Sequence, residues 1–255
     1  MMPTPALSFF PITGLPLIEP GCDLAALFIE HLDRAGIEPQ DGDVLTIAQK
    51  IVSKAEDRFV SLKDIEPSPE ARLLAYSAEK DPRIAELVLR ESTHVVRDTP
   101  AVIIAEHRIG IVLANAGIDR SNVNDDDETV LLLPEDPDAS AKQLKATLDA
   151  HYSIRLCIII TDSVGRPWRL GTTGIAIGCA GLEALNDMRG QHDMFGRVQQ
   201  VAEVATADCV AGAASLLMGE GDEAIPLVLV RGLEAGESTQ SAKTIVRPAG
   251  ENLFK

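Results

Sequence analysis

The sequence predicts a mixed α+β (mixed α/β) fold rather than a regular doubly wound sheet. Two observations carry this. Strand-like apolar runs and amphipathic stretches are interspersed along the chain, and some strand pairs have no helix between them. Taken in order, "DLAALFIEHLDRAG" from Asp23 has apolar residues at helical spacing, an N-cap in Asp23 and a closing Gly36. "GDVLTIAQ" begins as a buried strand over Val44 to Ala48, after which come Gln49, Lys50, Ser53, Lys54 and Glu56. "SPEARLLAYSAEKDPRIAELVLRES" reads as two helices, each with Pro at its first position. "HVVRDTPAVIIAEHRIGIVLANAGIDRSN" alternates and predicts strands, and the acidic "NVNDDDETVLLLPEDPD" predicts a surface connection. "DPDASAKQLKATLDAHYS" predicts a helix entered through Asp136 to Ser140, and "IRLCIIIT" predicts a buried strand. "HDMFGRVQQVAEVATADCVAGAASLLMGEG" contains a long helix rich in small residues, and "AIPLVLVRGL" predicts a last strand.

Composition narrows the function class. The chain has 255 residues, 45% hydrophobic and 24% charged, which are globular proportions for one large domain or two smaller ones. Its net charge of −16 excludes a general nucleic-acid binder. No apolar run reaches the roughly 18 residues of a membrane span, and the opening segment lacks a basic n-region. The expectation is a cytoplasmic protein with no membrane partner. Cys22, Cys157, Cys179 and Cys209 sit singly in apolar surroundings without a CxxC pair, which predicts reduced, buried thiols. The five histidines lack zinc spacing, so an oxygen-ligand site for magnesium or manganese stays open.

One stretch, "IIITDSVGRPWRLGTTGIAIG", runs three isoleucines into Asp162 and Ser163 and then into glycines and arginines. Two readings fit. The first is a buried strand ending in a turn. The second is a metal site on a rigid strand end, beside a mobile glycine-rich loop carrying Arg166 and Arg169. Trp168 is either loop packing or a platform for a flat ring. Two other loops, "NAGIDRSN" and "MGEGDEAIP", follow apolar elements in the same manner. Together the loops offer Asp119, Asp162, Ser163 and Glu220 as oxygen ligands, with Asn122, Lys54, Arg166 and Arg169 as donors. Hard divalent cations favour such ligands, and phosphoryl transfer needs metals, cations and backbone amides more than a nucleophilic side chain. P-loop, G-x-G-x-x-G, G-x-S-x-G and kinase signatures are missing, so a bound nucleotide would sit on an uncommon scaffold.

Seven blocks in order, "ITGLPLIEPGCDLA", "GDVLTIAQKIVSKAEDR", "NAGIDRSNV", "LLLPEDPDASAKQL", "IITDSVGRPWRLGTTGIAIGCAG", "DMFGR" and "LLMGEGDEAIPLVLVRGL", resemble the coenzyme F420:L-glutamate ligase family over nearly the whole chain. The resemblance implies one gamma-glutamyl ligase unit over residues 1–255, or two subdomains with a boundary near 120–140. It further implies a non-P-loop nucleotide-binding ligase fold with mixed and antiparallel sheets, in an intertwined homodimer. It implies a reaction in which GTP drives an amide bond between coenzyme F420-0 and L-glutamate through an acyl phosphate. Asp119 and Asp162 would hold magnesium or manganese, with Ser163 and Glu220 at a second metal; a monovalent cation stays open. The nucleotide would meet Leu15, Pro16, Leu17 and Ile18, then Gln49, Lys54, Asn122 and Arg166. Its phosphates would be wrapped by Met218, Gly219, Gly221, Asp222, Glu223, Ala224 and Ile225. The chain departs from the family pattern at Val198, Ala202 and Cys209, where two carboxylates and a threonine are expected. Those departures keep open a paralogue with another carboxylate acceptor, or a non-catalytic nucleotide- or metal-binding module.

Overall fold

The structure, a computed structural model, describes residues 6–234 and 236–251. In chain order the elements are β1 (Ser8–Ile12), α1 (Leu24–Arg34), β2 (Val44–Ala48), α2 (Gln49–Ala55) and β3 (Phe59–Ser61). There follow α3 (Pro69–Ala78), α4 (Pro82–Glu91), β4 (Ser92–Thr99), β5 (Val102–His107), β6 (Val112–Ala114), β7 (Thr129–Leu131) and α5 (Pro137–Tyr152). The chain closes with β8 (Cys157–Arg166), β9 (Arg169–Ala180), β10 (Asn186–Asp187), β11 (Glu203–Val204), α6 (Thr206–Met218) and β12 (Leu227–Arg231). No helix among the described residues is long and apolar enough to cross a membrane.

The predicted helix starts are where the capping chemistry puts them. Asp23, Ser68, Asp81 and Asp136 each accept a backbone N–H from the first turn of α1, α3, α4 and α5. Each such cap stabilises its helix by about 1 kcal/mol.

The main sheet has the order β1-β12-β2-β8-β9, antiparallel except for the parallel pair β2 and β8. Alternation explains why its strands are apolar on both faces. Leu45, Ile47, Ile158, Ile160, Leu227 and Leu229 face α1 and α5, while Val44, Cys157, Ile159, Val228 and Val230 face α6. The result is three layers, helices on either side of one mixed sheet.

Between α2 and α5 the chain leaves this sheet and builds a second core from α3, α4 and the three-stranded sheet β4-β5-β6. β3 and β7 pair antiparallel, so the excursion begins and ends at one place. Part of the acidic stretch expected as a surface connection is therefore a strand, and Val130 to Leu133 are buried. The helix rich in small residues is α6, which stops at Gly219 as expected, and just ahead of it Glu203–Val204 pair as β11 with β10.

The glycine-rich loop expected after Ser163 is a strand. β8 runs on through Asp162 and Ser163 to Arg166, turns at Pro167 and Trp168, and returns as β9. The glycines of "GTTGIAIG" serve packing. A Cβ on Gly174 would lie 2.5 Å from the Ala211 carbonyl oxygen of α6, and one on Gly178 would lie 2.4 Å from the Pro137 carbonyl oxygen of α5. The helices thus approach β9 from opposite sides to backbone contact. Each also donates an acid: Asp208 of α6 accepts the Ala176 N–H and Asp138 of α5 accepts the Cys179 N–H, both at 2.9 Å. These bonds flank a bulge, where Ile160 pairs with Gly178 and Thr161 with Ala176, leaving Ile177 as the extra residue.

Gly174→Ala and Gly178→Ala should each lower stability by about 1–3 kcal/mol, the range for overpacking. Gly165, with nothing within 4 Å of its Cβ position, serves as the control. Urea midpoints check this: Gly165→Ala should keep the wild-type midpoint while the other two fall.

Candidate active site

The site begins where β2 stops. Ala48 pairs with Thr161, α2 takes over at Gln49, and β8 continues past the end of its parallel neighbour. Asp162 then falls on the face of Ile158 and Ile160, and Ser163 falls on the opposite face with Ile159. Consecutive polar residues therefore reach two different loops.

On the α6 face, the Ser163 hydroxyl donates to Glu220 Oε2 at 3.0 Å, and the Thr172 hydroxyl lies 3.5 Å from Glu220 Oε1. Glu220 follows directly on the helix terminus, where Gly219 takes φ +72°. The same loop already holds an anionic oxygen on its backbone, because the Gly221 N–H donates to Glu223 Oε2 at 2.8 Å.

On the other face stands Asp119, delivered by the second core. Its backbone exchanges two hydrogen bonds with Leu131, both 2.9 Å, so the loop is pinned to β7. Asp119 Oδ2 accepts from Gln49 Nε2 at 2.7 Å and faces Lys50 Nζ at 3.0 Å. Lys50 also donates to the Ser121 carbonyl and Lys54 to the Asn122 carbonyl. Asn122, in a left-handed conformation, donates its side-chain amide to the Gly221 carbonyl at 3.0 Å. The loop 119–122 thus bridges α2 and the loop after α6.

Electrostatics show how close these carboxylates are. Burial first, and then the negative charges of Asp119 and Glu220, push the Asp162 carboxyl up to about 7. The Ser163 N–H on Asp162 Oδ1 and the Lys50 ammonium oppose that rise. Lys54 is shifted down by burial and by Lys50. The three carboxylates are of the oxygen-donor type that suits a hard divalent cation. As they stand, Asp119 and Glu220 are held by Lys50 and Ser163. Among the described residues, no three acidic, histidine or cysteine side chains lie close enough together to hold a metal ion unaided.

The structure therefore brings together Asp119, Asp162, Ser163 and Glu220 in one neighbourhood, with Gln49, Lys54 and Asn122 at its rim. Leu15 to Ile18 follow β1; Ile18 is buried in the core, Leu17 is exposed, and Gly21 ties the segment to α2 through the Ala55 carbonyl. Arg166 and Arg169 sit at the exposed tip of the β8–β9 hairpin. Cys209, expected in the core, is exposed on α6, because the buried stripe of that helix runs through Ala207, Val210, Ala211 and Ala214. Val198 is likewise outside the core. The residue that sequence reasoning passed over is Lys50. Its signal was the four-residue spacing to Lys54, which puts both ammonium groups on one face of α2.

Comparison with known proteins places the chain in a family. The family described as F420-0:Gamma-glutamyl ligase matches residues 13–232. The chain belongs to that family. It is 43% identical to the coenzyme F420:L-glutamate ligase of Methanothermobacter thermautotrophicus over 251 residues, covering 98% of this chain and 99% of the relative. It is 43% identical to the ligase of the same name from Methanopyrus kandleri, covering 98% of each. The Archaeoglobus fulgidus protein of that name is 40% identical, covering 96% of this chain and 95% of the relative. The family match spans β8 and both loops of the site.

The raised Asp162 carboxyl has a measurable consequence. Its folded value of about 7 lies above the ordinary 3.8, so the folded state binds the extra proton between those limits. This group's contribution to stability is therefore lost as pH rises from about 4 towards 7. Without divalent cations, Asp162→Asn should melt higher than wild type at pH 8, and the gap should narrow markedly at pH 5. Thermal melts at the two pH values check this.

Proposed function

We propose that the protein is a GTP-dependent ligase that joins a carboxylate of coenzyme F420-0 to the amine of L-glutamate. The observation that carries this reading is the convergence of two loops on the end of β8, the loop of Asp119 on the face of Asp162 and the loop of Glu220 on the face of Ser163. The family relation supplies the substrates, since the relatives' names specify coenzyme F420 and L-glutamate. Asp119 and Asp162 would hold one magnesium or manganese ion and Ser163 and Glu220 a second. When bound, these ions supply positive charge over the phosphates and the activated carboxylate.

The chain's own residues orient the reactants. The loop from Met218 to Ile225 offers backbone amides to phosphate oxygens, as its Gly221 N–H already does to a carboxylate. Lys54 and Asn122 fix this loop against α2 and add donors at the nucleotide. The acceptor carboxylate attacks the γ-phosphorus of GTP, GDP leaves, and an acyl phosphate forms. The amine of L-glutamate then attacks the acyl carbon, orthophosphate leaves, and the nitrogen loses a proton. No side-chain nucleophile is required. The homodimer implied by the resemblance, and a cytoplasmic location, belong to the same proposal.

Purified protein supplied with GTP, magnesium, manganese, L-glutamate and coenzyme F420-0 should yield the glutamyl product by mass spectrometry. Asp162→Asn should lose turnover by orders of magnitude while keeping its fold. Nucleotide binding without any glutamyl product would replace this reading with another carboxylate acceptor or a binding module.

A further inference from the structure

α2 carries a polar pair that faces inward. Ser53 is fully buried and Gln49 nearly so. The Ser53 hydroxyl donates to Gln49 Oε1 at 2.9 Å, and Gln49 Nε2 donates to Asp119 Oδ2 at 2.7 Å. The order of this chain is forced. An ionised carboxylate only accepts, so the amide nitrogen must face Asp119 and the amide oxygen must face a donor. The Ser53 hydroxyl is that donor. Lys50 reaches the same carboxylate oxygen at 3.0 Å. Both donors therefore act on Oδ2, and no hydrogen bond among the described residues ends on Oδ1.

We propose that Ser53 and Gln49 are positioning residues, a buried relay that locks Asp119 by one oxygen and leaves the other free for a divalent cation. The inference rests on the metal reading given above and deepens it. It assigns Gln49 to the carboxylate rather than to the nucleotide. The physical logic is that of an outer hydrogen bond fixing a metal ligand: without it, Asp119 rotates about its terminal torsion and exchanges its two oxygens. The relay needs the four-residue helical spacing of Gln49 and Ser53, which stacks them on one face of α2.

The test is manganese titration of the full chain, without nucleotide, reading free ion by electron paramagnetic resonance. Ser53→Ala and Gln49→Met should each weaken manganese binding by roughly tenfold or more, the range for losing such an outer partner. The double variant should bind no more weakly than Gln49→Met alone, because both act through one link. Ser53→Thr retains the hydroxyl and should restore wild-type affinity. In turnover assays the metal KM should rise while kcat recovers at saturating manganese. Folded variants with wild-type manganese affinity, or losses that simply add, would overturn the relay and leave a structural role. Wild-type protein that takes up no manganese would overturn the metal reading itself. If Ser53→Ala does not fold, Gln49→Met decides the matter alone.

Discussion

The period-two alternation of β8 is the constraint on which the rest of the site depends. The strand is inside the sheet as far as Thr161 and outlives its parallel neighbour by five residues, from Asp162 to Arg166. Within the sheet, alternation sends isoleucines into the apolar layers on both of its faces. Beyond it, the same alternation sends Asp162 towards α2 and the second core and Ser163 towards α6. One backbone geometry thus sorts apolar residues for folding and polar residues for chemistry, and a shift of one residue would exchange the two faces.

That register is held from both sides. Asp138 and Asp208 reach β9 from α5 and α6, and Gly174 and Gly178 let those helices come close enough to do so. The second core supplies the remaining wall, since its pinning to β7 carries Asp119 to the open end of β2. The packing buries Asp162 near the charges of Asp119 and Glu220, and burial first and those charges second raise its carboxyl.

Much of the local structure is legible in the sequence. Asp23, Ser68, Asp81 and Asp136 announce helix starts because a cap is a contact between near neighbours in the chain. Asp119, Asp162, Ser163 and Glu220 read as a candidate set mainly through family resemblance, and the structure brings them into one neighbourhood. What was illegible depends on distant pairing. "GTTGIAIG" reads as a loop because glycine favours turns, and the requirement that the backbones of Ala211 and Pro137 come close is invisible in one dimension. Cys209 reads as core because its neighbours are apolar, yet only the phase of α6 against the sheet decides which residues it buries. Lys50 and the Ser53–Gln49 pair gain meaning only when Asp119, some seventy residues away, arrives beside them.

The central claim is that the two faces of β8 assemble one cation and phosphate site with the two loops that flank them. Anomalous X-ray scattering from crystals grown with manganese and a non-hydrolysable GTP analogue tests it most directly. The account predicts a manganese peak at coordination distance from Asp119 and Asp162, with the nucleotide's phosphates against the loop from Met218 to Ile225. A peak seated away from both carboxylates, or nucleotide bound elsewhere on the chain, would contradict it.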